Sequence, residues 1–364
     1  MRLLALLHRW TGGITGLLLA VIGLSGAVLV WEETWIALPG ADDPYRSGTA
    51  DLARAVAVAA ADERGLSRIT FADEGFGLHL AIYRDGGGAY IDQGGRIVES
   101  WANIWGRPEL WLFDLHHHLF AGRTGTYVAG VLGLLLIAFA VSGIILWWRT
   151  RRTFRFRLWP ARMTRSAIVW HHRDLGILAA PLLLVSAATG SLIVFKPLSD
   201  ALLSPWAGPA KPAAEIPPVA GAPSPLTDWQ VLLADARSTF PDAAPRRLQL
   251  PAGPGEPVLL RMRQSFEWTP NGRTYVYLDP ADGRVVAYDD PARGDAAQAI
   301  HEKFYPLHAG KVGGVLWRIA LTFSGFALAL LGLLASWSFW FAKPAKRQPQ
   351  PHRSRAQVLV EPAE

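Results

Sequence analysis

The chain has 364 residues, of which 51% carry hydrophobic side chains and 16 are tryptophan, against only 18% charged. That balance excludes a disordered chain or an ordinary soluble pair of domains and favours a membrane protein. The net charge of +6 is gathered into short segments and reads as a topology signal, not a nucleic-acid footprint. The absence of cysteine excludes disulfides, thiolate metal sites, iron–sulfur clusters and C-x-x-C-H haem attachment.

In chain order, residues 1–31 are expected to form a first transmembrane helix whose apolar stretch runs from 11 to 31. It reads as a retained anchor, because the stretch is long, His8-Arg9 interrupts its front and no small-x-small cleavage site follows. Residues 32–124 form a loop domain with eight basic and fourteen acidic residues. A helix-compatible stretch at 51–65 is followed by strand-like runs at 77–83 and 89–98, with Asp85-Gly86 and Gly94-Gly95 as hairpin turns. A second transmembrane helix is expected at 125–148. The loop 149–167 has seven arginines and no acid up to Arg165, so it belongs on the cytoplasmic side.

A third transmembrane helix follows at 168–195, and a second loop domain at 196–312 with twelve basic and thirteen acidic residues. There, 204–225 reads as a Pro/Ala/Gly-rich linker, 228–240 as a helix, and 258–263 and 274–288 as strands with turns at Asn271-Gly272 and Asp282-Gly283. A fourth transmembrane helix at 313–341 leads into a tail, 342–364, that carries five basic residues against two glutamates. Both termini are therefore expected in the cytoplasm and both loop domains outside.

The chain also repeats itself. His8-Arg9 and His172-Arg173 open the first and third helices, and Gly26 and Gly190 each stand eighteen residues after the histidine, in Ser25-Gly26 and Thr189-Gly190. Leu115-His116 and Leu307-His308 precede the second and fourth. Seven of ten histidines lie at the membrane boundaries: His8, His171 and His172 inside, His116, His117, His118 and His308 outside. Such groups at membrane depth are functional candidates, although any one of them could sit among headgroups.

Each leaflet thus receives histidines from both halves of the chain. Two histidines facing across a cleft suit the two axial positions of a haem, and Gly12, Gly13, Gly16 and Gly176 leave room for a porphyrin near the backbone. The expected ligands are His8 with His172 for an inner haem and His116 with His308 for an outer one. His171, His117 and His118 are alternatives, and Arg9 and Arg173 are candidate partners for propionates or lipid phosphates. Metal transport is a rival use of the same histidines, but the helix centres offer only Ser25, Ser142, Ser186, Thr189 and similar small groups.

The pattern resembles the PepSY-associated transmembrane helix family of bacterial inner-membrane proteins. The resemblance rests on His8-Arg9-Trp10 with Gly12, Leu115-His116 with Leu119 and Gly122, Ser142-Gly143 before Trp147-Trp148-Arg149, His172-Arg173 with Gly176, and Leu307-His308-Ala309-Gly310. Residues 90–98 and 277–286 look like the closing hairpins of PepSY domains. The resemblance implies a membrane protein with a four-helix transmembrane bundle and two periplasmic α+β PepSY-like domains, internally duplicated. It further implies two noncovalent haem b groups, His116 as the recurrent outer ligand, and an oxidoreductase that reduces a ferric siderophore or other ferric chelate in the periplasm. Electrons would come from a cytoplasmic or membrane donor: a reduced flavin, a flavoprotein or a quinol. The alternatives are a membrane-anchored periplasmic binding or protease-regulating module without haem, and a siderophore permease.

Overall fold

In a computed structural model the structure describes residues 1–209, 215–219 and 227–341. Half of the Pro/Ala/Gly-rich linker and the basic tail with His352 lie outside the described residues. Four helices are long and apolar enough to cross a membrane: α1 (Arg2–Leu29), α5 (Gly122–Trp148), α6 (Arg165–Val194) and α11 (Gly314–Trp340). Between α1 and α5 come α2 (Glu32–Trp35), α3 (Thr49–Ala60) and α4 (Pro108–His118). Between α6 and α11 come α7 (Lys196–Leu203), α8 (Trp229–Thr239), α9 (Ala296–His301) and α10 (Phe304–His308).

The four long helices pack as a ring in which α1 contacts α5 and α11, and α6 contacts the same two. The closest approach is between α1 and α11. A Cβ at Gly23 would lie 2.8 Å from the Gly325 carbonyl oxygen, and one at Gly16 would lie 2.7 Å from that of Gly332. Two glycines spaced seven residues apart on each helix therefore bring antiparallel backbones into contact, as small residues do in lipid, where apolar tails give helices no reason to associate by hydrophobicity alone. The α5–α6 pair uses the same device with a hydrogen bond, Ser191 Oγ donating to the Gly130 carbonyl.

The two loop regions merge into one sheet. Strands β1 (Leu66–Thr70), β2 (His79–Tyr83), β3 (Gly88–Ile91), β4 (Ile97–Trp101), β5 (Ala244–Gln249), β6 (Val258–Arg263), β7 (Thr274–Leu278) and β8 (Val285–Asp289) run in the order β4-β3-β2-β1-β5-β6-β7-β8. That order is a palindrome of two four-stranded halves, joined where β1 and β5 pair antiparallel at Ile69↔Leu248. Helices α3 and α8 share one core on one face, with Leu52, Val56, Leu232, Leu233, Leu248, Leu260 and Val276 fully buried. The strand-like runs of the sequence correspond to β2–β4 and β6–β8. The joining strands β1 and β5 were not expected, because Arg68, Arg246 and Arg247 interrupt their apolar alternation.

Replacing Gly23 or Gly325 by alanine is expected to cost about 1–3 kcal/mol, since the new methyl meets backbone that cannot move aside. Gly253→Ala, where a Cβ meets nothing within 4 Å, is the control. Thermal denaturation in detergent measures the three, and equal midpoints would count against the glycine contact.

Candidate functional site: two facing pairs of histidines

The bundle holds its histidines in pairs drawn from the two halves. The ring centres of His8 and His172 lie 6.1 Å apart at one end, and those of His116 and His308 lie 6.2 Å apart at the sheet end. His8 and His172 sit within α1 and α6 as expected. His116 and His308 do not start the returning helices. They end the separate short helices α4 and α10, and tight breaks precede α5 and α11. The first break runs through Leu119 and Phe120, both at positive φ, and the second through Gly310, Gly313 and Gly314. The breaks let each outer histidine lean across onto the helix that opens its own half: α4 packs on α1, and α10 on α6.

Each seat is a hydroxyl followed by a glycine. His116 Nδ1 donates to Ser25 Oγ at 3.0 Å and to the Ile22 carbonyl at 3.1 Å, while a Cβ at Gly26 would stand 2.8 Å from the ring. His308 Nδ1 donates to the Ser186 carbonyl at 2.9 Å and to Thr189 Oγ1 at 3.2 Å, over Gly190. His8 Nδ1 bonds Ser142 Oγ at 2.8 Å, beside Gly143. The hydroxyls of Ser25, Thr189 and Ser142 give their own protons to carbonyls of their own helices. The carbonyls of Ile22 and Ser186 can only accept, which fixes the proton on Nδ1 of His116 and His308 and leaves Nε2 its lone pair. His172 faces the Leu331 backbone in the corresponding place.

This explains the repeat. The histidine at the far end of α1 and its Ser25-Gly26 serve different pairs, about 26 Å apart along the helix at a rise of 1.5 Å per residue. The same holds for His172 and Thr189-Gly190 on α6.

Between His8 and His172 opens a cavity of about 470 Å³, within the range of small-molecule and cofactor sites. Gly12, Gly16, Gly143 and Gly176 line it, together with Leu136, Phe139, Leu183 and Leu328. Gly13 does not; it packs on the Phe339 ring. The mouth carries Arg9, Arg165 and Arg173. Arg173 is tied to Thr153 and to the buried Asp174, which also takes Arg157 and thereby anchors the arginine-rich loop. Arg9 and Arg165 have no ion-pair partner among the described residues. Arg165 escaped the sequence reading because it stands in a run of loop arginines.

The remaining histidines have partners of their own. His171 is buried and bonds the Leu158 carbonyl through Nε2. His118 bonds Asp114 at 2.8 Å, and His117 stacks on Phe113 and bonds that residue's carbonyl. His301 bonds Ser199, and buried His79 accepts from the Ala72 amide. A second, apolar cavity of about 520 Å³ lies beside Leu307, between Trp268 and Trp317.

A four-helix membrane bundle with a sheet over one end and a histidine pair at each end defines a class: multi-pass membrane proteins with paired imidazole sites. The chain belongs to the PepSY-associated TM region family, whose model matches residues 5–343. Comparison with curated proteins finds no match.

Above the outer pair, Glu33 binds Lys311 and Arg318, while neighbouring Glu32 is pushed up to about 7 by burial, opposed by Lys311 and assisted by Glu33 and Glu109. The folded protein thus keeps a proton on Glu32 that the unfolded chain loses above about 4.5. Stability should fall as pH rises between these values and stay lowered above 7. Glu32→Gln is expected to recover on the order of 2 kcal/mol at pH 8 and nothing at pH 4. Melting curves at the two pH values check this.

Proposed function

We propose that the protein is a transmembrane di-haem b oxidoreductase that passes electrons to a ferric chelate, such as a ferric siderophore, on the sheet side. The observation that carries this reading is the spacing of the histidine pairs. One metal shared by both imidazoles of a pair would span ring centres about 6 Å apart, from metal–nitrogen bonds of about 2 Å and about 1 Å more from each nitrogen to its ring centre. Both pairs have that separation. Nδ1 donation to a carbonyl or hydroxyl is the usual outer-shell arrangement of a metal-bound histidine.

A pair of imidazoles alone is a poor seat for a bare ion. Among the described residues no group of three or more His, Cys, Asp or Glu could hold one. A pair is sufficient for an iron that already has four equatorial nitrogens. His8 and His172 would hold one haem in the glycine-lined cavity, with Arg9 and Arg165 placed to meet propionates, and His116 and His308 would hold the other. Bound haem supplies a one-electron carrier at each end of the bundle. The protein's own part is to lock the tautomers, fix the ring planes, keep water from the apolar cavity and set the charge near the propionates.

On the orientation that the arginine-rich loop favours, the sheet lies in the periplasm of a bacterial inner membrane and the His8 end faces the cytoplasm. With both haems bound, a reduced flavin, a flavoprotein or a quinol would be the donor at the inner end, and a ferric chelate at the outer end would be the acceptor, reduced by one electron to its more weakly held ferrous form.

Purified protein is expected to show oxidised and dithionite-reduced spectra of low-spin haem b, at about two haems per chain. His8→Ala or His172→Ala should lose one haem, and His116→Ala or His308→Ala the other. Ser142→Ala and Ser25→Ala should weaken retention of the inner and outer haem by about tenfold or more. A colourless, well-folded protein would overturn the reading in favour of a membrane-anchored binding module.

A further inference from the structure

The sheet face turned away from α3 and α8 carries a row of cations. Strand register aligns Thr70, Arg247, Arg261 and Tyr275 across β1, β5, β6 and β7, and Arg68 stands two residues before Thr70 on the same face. Side chains alternate along a strand, so these residues point opposite to the fully buried Ile69, Leu248, Leu260 and Val276.

None of the three arginines has a carboxylate partner among the described residues. Arg247 donates to Thr70 Oγ1 at 3.0 Å, and Arg261 donates to the Gly272 carbonyl while its Nε is buried and unbonded. By contrast Arg246, on the other face, is paired with Glu74. Nearby acids are already committed, Glu33 to Lys311 and Arg318, and Glu267 to the amides of Gln264 and Arg273.

Tyr305 of α10 lies within electrostatic range of both Arg247 and Arg261, three residues before His308. The cationic face therefore looks toward the helix that presents an outer histidine. Like charges on adjacent strands oppose sheet pairing. Their cost is visible at Arg247, lowered to about 10 by burial and then by Arg261 and Arg68. An anion would remove it, and guanidinium groups match oxyanions two bonds at a time.

We propose that Arg68, Arg247 and Arg261 form a binding site for an oxyanion-rich ligand, between the sheet and the α10 helix. The inference rests on the reading above and deepens it: the chelate accepted at this end is negatively charged. The same chemistry has a second source, the carboxylates of a porphyrin held by the outer histidines.

The test uses the full chain in detergent and two redox-inert complexes, anionic gallium(III) citrate and neutral gallium(III) maltolate, with binding followed by calorimetry. Failed electron transfer therefore cannot mimic failed binding. The citrate complex is expected to bind at least about tenfold more tightly than the maltolate complex, and Arg247→Gln and Arg261→Gln should each weaken it about tenfold. Arg247→Lys should keep part of the affinity, and Arg96→Gln, remote and exposed, should keep all of it. Arg68→Gln, at an exposed position, replaces any variant whose melting point falls. If the glutamine variants keep citrate affinity but lose the outer haem, the anion is the porphyrin carboxylate. Unchanged citrate affinity together with unchanged haem content would overturn the site.

Discussion

An imidazole buried against a transmembrane helix must satisfy one nitrogen within the protein, because lipid offers no hydrogen-bond partner. Much of this architecture follows from that requirement. The carbonyls of Ile22 and Ser186, with the hydroxyls of Ser25 and Thr189 beside them, receive the Nδ1 protons of His116 and His308, Ser142 bonds His8 Nδ1, and a glycine beside each hydroxyl lets the ring approach the backbone. With Nδ1 committed, Nε2 of His116 and His308 keeps its lone pair, and the ring centres of the two residues lie 6.2 Å apart. The chain breaks at Leu119-Phe120 and at Gly310 and Gly313 are the backbone adjustment that lets α4 and α10 lean inward.

The two halves of the chain are arranged alike at both levels. In the bundle, each half supplies one histidine to each pair. In the sheet, each half supplies four strands, and the halves close on each other through β1 and β5. Joining the halves at the sheet and across the α1–α11 glycine contact holds the two members of each histidine pair in register. A sheet of eight strands with one shared core is stiffer than two small domains, each of which would expose an edge where β1 or β5 now pairs.

The correspondence is closest where one element decides its own structure. Four apolar stretches, the turns at Asp85-Gly86 and Asn271-Gly272, and the alternation of β6 and β7 each carry a local periodic signal. The joining strands carried none, since Arg68 and Arg247 belong to a face whose purpose is visible only once the sheet is assembled. Likewise, His171 and His172 are adjacent in sequence, and only the bond of His171 to the loop carbonyl of Leu158 turns it away from the cavity. Ser142 read as part of a helix exit because its partner, His8, is 134 residues distant.

The sequence by itself determined that the chain has four membrane-spanning segments, a repeat, and histidines at matched positions near their ends. Hydropathy, spacing and composition are properties of the chain before it folds. Tertiary structure decided which histidines meet, which nitrogen of each remains available, and that two loop regions make one sheet. Those outcomes depend on helix neighbours and strand register, where residues more than a hundred positions apart come within hydrogen-bonding distance and no local pattern records the pairing.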